Sequence, residues 1–272
     1  MHFVSSNWIY FYYGVFAFVE FIALSLMQKK YPFLETVAAF TSFFIKKYLT
    51  HIILLLGFKN TVYFIYQHRL FTFQPSGILA VISFVICIDF IYYWHHRLSH
   101  KIKIFWIMHS VHHLPTRLTI LTSLQRSMME YFYSAFTFLI IPGLILGFSP
   151  KTIFYFFGLN LVYQAWIHNE FIGKLGILEY YLNTPAKHRI HHSLLPQHAN
   201  KNFGGIFCIF DRLFGTFHLD DVECSIYGVL PEVKITSPLT PVFYEFSQWK
   251  NLILDFNKTP GLKNKISVLI KV

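Results

Sequence analysis

Histidine is the residue this chain carries in excess. Its 272 residues include 15 histidines, more than the 13 aspartates and glutamates together. Nine of them stand in patterned positions. His96 and His100 are four apart, His109, His112 and His113 follow as i, i+3, i+4, and His188, His191 and His192 repeat that triplet. His168 stands alone at the end of an apolar run. Residues three and four apart share a helix face, so each set predicts imidazoles presented together. Neutral imidazole suits zinc, copper, iron and nickel. A structural zinc takes four ligands and a catalytic zinc three with an open position, so nine histidines exceed one ion and suit two. His95 points about 100° away from His96 on a helix and is left out. His2, His51, His68, His198 and His218 have no partner pattern and read as surface or interfacial.

Asp89 lies seven residues before His96, on the same helix face and inside the apolar run 77–94. An acid at membrane depth marks a functional position. Its expected role is to accept the N–H of a ligand histidine and fix that ring's tautomer. Two helical turns, ~10.5 Å of rise, separate it from His96, so the expected partner is a histidine of another cluster, such as 188–192. Tyr92, Tyr93 and Trp94 read as an interfacial aromatic belt.

The elements that must carry these groups are apolar. The chain is 54% hydrophobic and 13% charged, against about 25% charged in soluble proteins. Disorder is excluded by hydrophobicity, and coiled-coil or collagen composition is absent. The net charge of +10 comes from short basic clusters beside apolar runs, a pattern of membrane sidedness and headgroup contact rather than nucleic-acid binding. Crossing a bilayer takes ~20 apolar residues. Candidate runs are 8–27, 34–57 (interrupted by Lys46 and Lys47), 77–94, 131–148 and 152–167. Residues 1–7 carry no Lys or Arg, so no cleavable leader is expected. No alternating ten-residue segments of a barrel are present.

The expected fold is therefore all-α and integral to the membrane, with about four to five transmembrane or re-entrant helices. A histidine-rich helical cap follows residue 172, and residues 1–272 read as a single domain. Arg97, Lys101, Lys103, Arg117, Arg126, Lys187, Arg189, Lys201 and Arg212 flank the clusters and place them on the cytoplasmic face, with Lys29. Cys87, Cys208 and Cys224 form no metal-type pair and no disulfide framework. Two histidine-bound metals beside a membrane suggest non-haem iron and O2 chemistry on a lipid.

The motifs also resemble a known superfamily. Asp89-x-x-Tyr92-Tyr93-Trp94-x-His96-Arg97-x-x-His100, then Trp106-x-x-His109-x-x-His112-His113, then His188-Arg-Ile-His191-His192 come first. Asn202-Phe-Gly-Gly and Asp211-Arg-Leu-Phe-Gly-Thr-Phe217 follow them. Together, over about residues 85–228, they resemble the fatty acid hydroxylase/sterol desaturase superfamily. The resemblance implies helical membrane proteins whose histidines bind two irons that activate O2, here His96, His100, His109, His112, His113, His168, His188, His191 and His192. Tyr163-Gln164-Ala-Trp166-Ile167-His168-Asn-Glu170, with Leu175-Gly176-x-Leu178-Glu179 and Leu182-Asn183-Thr184-Pro185, resembles its alkylglycerol monooxygenase branch. That branch implies cleavage of ether lipids with tetrahydrobiopterin as external reductant. The expected reaction is hydroxylation of a lipid alkyl chain, or its desaturation, or cleavage of its ether bond.

Two departures bear on that reading. Lys101 stands where the branch has Glu, and Thr119–Ser127 departs from the usual Asn-Leu-Ser-Thr-Ala-Leu-Arg-Gln-Ser. The implied partners are a membrane lipid substrate and an electron donor of unspecified identity. Two alternatives stay open: an iron-binding but inactive member, which Lys101 favours, and a non-enzymatic metal-handling membrane protein. The latter needs polar residues spread along several spans.

Overall fold

In the computed structural model, residues 7–53, 59–72, 77–135, 137, 142–143, 145–219 and 226–272 are described. Among them the chain forms helices, and β-pairing is limited to isolated bridges such as Leu182 with Phe207. The helices are α1 (Asn7–Leu26), α2 (Phe33–Ile53), α3 (Lys59–Gln67), α4 (Gly77–Lys101), α5 (Lys103–His113), α6 (Glu130–Ala135), α7 (Pro150–Ile167), α8 (Pro185–His192), α9 (Ile209–Leu213), α10 (Thr240–Lys258) and α11 (Leu262–Ile270).

Local chemistry sets the boundaries of the helices that carry histidine. Ile102 takes an extended backbone (φ −112°, ψ 121°), which ends α4 and lets α5 turn back against it. Before α7, the Ser149 hydroxyl accepts from Thr152 N and Pro150 opens the first turn, the pairing that helix starts favour. Thr184 and Pro185 do the same for α8, with Lys187 N donating to the Thr184 hydroxyl. Helix α7 packs on α4 and α8, and α10 packs on α5 and α11.

Helix α4 is the one described helix long and apolar enough to cross a membrane; Phe11–Leu26 is a shorter apolar stretch. Its first half faces outward, with Ile78 71% and Leu79 70% exposed, and its second half buries Ile88, Asp89, Ile91, Tyr92, Tyr93, His95 and His96. Apolar surface in that amount has no place in water. The other expected spans are less regular. Helix α2 carries Glu35, Lys46 and Lys47. The run 131–148 lies partly outside the described residues, and α7 is 18 residues long.

Candidate metal centre

The nine patterned histidines meet in two groups. His96, His100, His109, His113 and His191 form one, and His112, His168, His188 and His192 the other, with the candidate ligand atoms of each group within 4.8 Å of one another. Four elements contribute. The end of α4 gives His96 and His100, α5 gives three, α8 gives three, and the C-cap of α7 gives His168. Each triplet splits instead of converging on one point. His109 and His113 join the first group while His112 joins the second, and His188 and His192 part from His191. Helix geometry explains this: i and i+4 differ by about 40° around the axis, whereas i+3 and i+4 differ by about 100°. The groups touch through His113 and His192, whose rings stack at 4.1 Å.

Backbone carbonyls fix several rings. His96 Nδ1 donates to Phe203 O at 3.0 Å, His191 Nδ1 to Lys201 O at 2.9 Å, His112 Nδ1 to Gln125 O at 3.3 Å, and His168 Nδ1 to Gln164 O. A carbonyl can only accept, so each Nδ1 carries the proton and each Nε2 presents a lone pair. In the first group all five Nε2 atoms are buried with no hydrogen-bond partner. In the second, Nε2 atoms face each other: His168 to His112 at 3.0 Å, His188 to His168 at 2.9 Å, His192 to His188 at 3.1 Å. His112 and His168 thus aim two lone pairs at one another, an arrangement that a shared cation relieves. Nitrogens about 2.1 Å from one ion and at right angles around it lie about 3.0 Å apart. The donor set therefore fits two ions, and its all-imidazole character fits first-row transition metals rather than magnesium or calcium.

Burial keeps these rings neutral, as ligation requires. Desolvation lowers the pKa of His168 and His191 to about 3, and holds His112, His113, His188 and His192 well below the ordinary histidine range. Neighbouring imidazoles push His112, His113, His188 and His192 the same way. One carboxylate stands at the edge. Glu130 Oε1 is 3.9 Å from His109 Nδ1 and accepts from Arg126 at 3.1 Å. Burial alone would raise the Glu130 pKa, but the Arg126 charge, His109 and Lys46 outweigh it and hold the carboxyl ionised.

Asp89 does not accept from a histidine, contrary to the sequence expectation. Its oxygens take the backbone N–H of Ile206 at 2.6 Å and Phe207 at 3.0 Å, and the Asn160 amide at 3.3 Å. The physical reason is the ~10.5 Å of helix between Asp89 and His96: the gap is filled by the loop 203–207, whose Phe203 carbonyl holds His96. Asp211 grips the same loop, accepting from Phe203 N and Gly204 N, both at 2.8 Å. The Asn-Phe-Gly-Gly motif follows from this crowding. A Cβ on Gly205 would collide with Asp89 Oδ1 and the Asn160 amide, and one on Gly204 with Phe207 O. Gly205→Ala is therefore expected to destabilise the protein by about 1–3 kcal/mol, the usual range for overpacking. A lower thermal midpoint in detergent would show it, and an unchanged midpoint would mean the loop has slack.

Other positions depart from the sequence reading. His198 is buried, not superficial, and its ring lies 5.4 Å from that of His218. His95 is buried as well, stacked on Tyr133 at 4.1 Å and outside both groups. Tyr92 and Tyr93 are buried rather than belt-like, Tyr92 donating to Gln164 Oε1 and Tyr93 hydrogen-bonded to Thr216. Gln164 stood in a family motif with no role attached to it; it also donates to Gly205 O at 2.8 Å and accepts from His168 through its carbonyl. Sequence reasoning missed Glu130, for which the i, i+4 spacing from Arg126 was the available signal. His2 and Cys224 lie outside the described residues.

Fold and site together define a helical membrane-associated protein built around a paired histidine cluster. The family model for fatty acid hydroxylase matches residues 81–216, the stretch that holds all nine histidines, and the chain belongs to that family. It is 34% identical to alkylglycerol monooxygenase of Homo sapiens over 211 residues, 77% of this chain and 46% of that protein. With the Danio rerio alkylglycerol monooxygenase it shares 37% over 184 residues, 68% of this chain and 40% of the relative. The ornithine lipid hydroxylase OlsE of Rhizobium tropici is 30% identical over 147 residues, 53% of this chain and 43% of that one. The chain thus spans less than half the length of these relatives. No solved structure matches it.

Proposed function

We propose that this chain is a multi-pass membrane oxygenase that uses O2 to hydroxylate a lipid alkyl chain, its two irons held by the nine histidines and residues 1–272 acting as one unit. The observation that carries this is the pair of buried histidine groups, one with five Nε2 atoms that have no hydrogen-bond partner and one with four Nε2 atoms turned toward one another. Iron is the choice because the family relatives act on lipids as monooxygenase and hydroxylase. Bound iron would supply O2 activation and removal of hydrogen from an unactivated C–H bond.

The protein's own contribution is position, orientation and exclusion of water. From Gly77 to His96 helix α4 rises about 28 Å, close to the ~30 Å hydrocarbon thickness. His96 and His100 then sit at one membrane face, where an alkyl chain in the adjacent leaflet can reach them. Phe203 O, Lys201 O, Gln125 O and Gln164 O hold His96, His191, His112 and His168 with Nε2 inward. Burial of eight of the nine rings keeps competing water out.

An O-alkyl glycerol lipid is the substrate to test first, given the relatives' printed names. Hydroxylation next to the ether oxygen gives a hemiacetal, which collapses to an aldehyde and a glycerol alcohol. The two electrons come from an external donor, with tetrahydrobiopterin as first choice. In lipid nanodiscs with iron, O2 and this donor, aldehyde should accumulate from the O-alkyl lipid and vanish with His188→Ala. Alcohol at another chain position, without aldehyde, would keep the oxygenase and discard the ether site; no product from any alkyl lipid would discard both.

The sidedness is cytoplasmic, as the basic residues around the clusters indicate. A reporter fused after His113 or His192 is expected to be active only in the cytoplasm. Activity only on the opposite side would overturn this orientation.

A further inference from the structure

Lys187 and Cys208 take no part in the histidine groups, yet each adjoins a segment that holds them in place. Lys187 precedes His188, and Cys208 follows the loop that Asp89 and Asp211 hold. Lys187 is 0% exposed and Cys208 1%. Lys187 Nζ donates to Cys208 Sγ at 3.1 Å and stands 3.7 Å from the Phe217 ring centroid. The other face of need on that ring is already met, with the Arg212 guanidinium 3.8 Å from the same centroid. Glu179 acts on Lys187 by charge and not by a hydrogen bond. Glu179 spends its oxygens on Leu175 N at 2.8 Å and the Thr184 hydroxyl at 2.6 Å. A buried lysine is normally paired with a carboxylate. Here its hydrogen-bond partner is a thiol, which is a poor acceptor but a good site of oxidation.

We propose that Lys187 and Cys208 are a modification site, in which molecular oxygen joins Nζ to Sγ through one bridging oxygen atom. The balance is Lys–NH2 + Cys–SH + O2 → Lys–NH–O–S–Cys + H2O. One N–H and the S–H bond break, and N–O and O–S bonds form. Nitrogen and sulfur each lose two electrons, and these four reduce both atoms of O2. One oxygen remains in the bridge, and the other leaves as water with the two hydrogens. If the amine begins as an ammonium, its extra proton leaves too. The 3.1 Å separation selects the bridged product: a direct N–S bond would have to close much of that gap, whereas a single inserted atom spans it. The link would tie α8, which carries His188, His191 and His192, to the end of the loop whose Phe203 carbonyl holds His96.

The inference needs only the two side chains and O2, so it stands or falls separately from iron binding. The test uses the full chain purified in detergent under air or under anaerobic conditions, alkylated while unfolded, and digested with trypsin without reductant. Mass spectrometry of the air-exposed protein should show the Lys187 and Cys208 peptides joined, at their summed mass plus one oxygen and minus two hydrogens. Cleavage after Lys187 should be blocked. Dithiothreitol should dissolve the pair and raise alkylation of Cys208 several-fold. The anaerobic sample and Cys208→Ser should lack it. Fully alkylated Cys208 after air exposure would overturn the proposal. So would Cys208 oxidised to a sulfinic acid beside an unmodified Lys187, or a joined pair lacking the extra oxygen.

Discussion

His192→Ala is expected to remove one metal ion and leave the other. The two histidine groups share helices but no side chain: His192 belongs with His112, His168 and His188, whereas His96 belongs with His100, His109, His113 and His191. Iron per chain should fall from about two to about one in His192→Ala, and to about one again in His96→Ala. The double variant should hold almost none. His198→Ala, which removes a buried ring outside both groups, should keep both. Product formation should vanish in either single variant, because the proposed reaction uses both ions. Metal analysis of detergent-purified protein reads this directly. A single substitution that emptied both groups would mean one shared cage, and one that emptied neither would mean that the histidines do not bind the metal. Zinc in a preparation settles nothing alone, since divalent affinity follows the Irving–Williams order rather than use.

Asp89→Leu is expected to be nearly as damaging, by a different route. It leaves the N–H groups of Ile206 and Phe207 and the Asn160 amide without their acceptor. Each buried unsatisfied group costs about 1–3 kcal/mol, so a loss of about 3–9 kcal/mol follows from the three. The loop then loosens, and with it the Phe203 carbonyl that orients His96. Losing an outer partner of a ligand typically lowers metal affinity or activity ~10–100-fold. Asp89→Asn keeps one accepting oxygen and should fall between. The thermal midpoint and the rate of iron loss to a chelator should move together across the two variants. If Asp89→Leu raised the midpoint and left iron retention unchanged, the carboxylate would be a dispensable polar group rather than the anchor of this loop.

What could be read from the residues alone depended on how local the geometry was. The pairs His96/His100, His109/His113 and His188/His192 are legible because four residues of helix bring them together whatever the rest of the fold does. The division of each triplet between two groups is not, because it depends on where α4, α5, α7 and α8 lie relative to one another. Asp89 stands out as an acid in an apolar run, but its partner is a backbone amide 117 residues away. Backbone amides and carbonyls carry no sequence signature, and for the same reason Phe203 O, Lys201 O, Gln125 O and Gln164 O were invisible. His198 failed in the opposite direction, since a lone histidine without spacing offers no sign of burial. For the spans, hydropathy picked out α4 cleanly. Lys46 and Lys47 in α2 dilute its apolar run.

The most direct test of a lipid oxygenase is the origin of oxygen in the membrane lipids. Cells producing the protein under ¹⁸O₂ are compared with cells producing the His96→Ala and His192→Ala double variant. Lipid mass spectra from the first should contain an alkyl-chain alcohol, or the aldehyde derived from one, that carries one ¹⁸O and is missing from the second. Identical lipid spectra from the two cultures, with the unmodified protein holding two irons, would contradict the assignment and leave an iron-binding membrane protein without oxygenase activity.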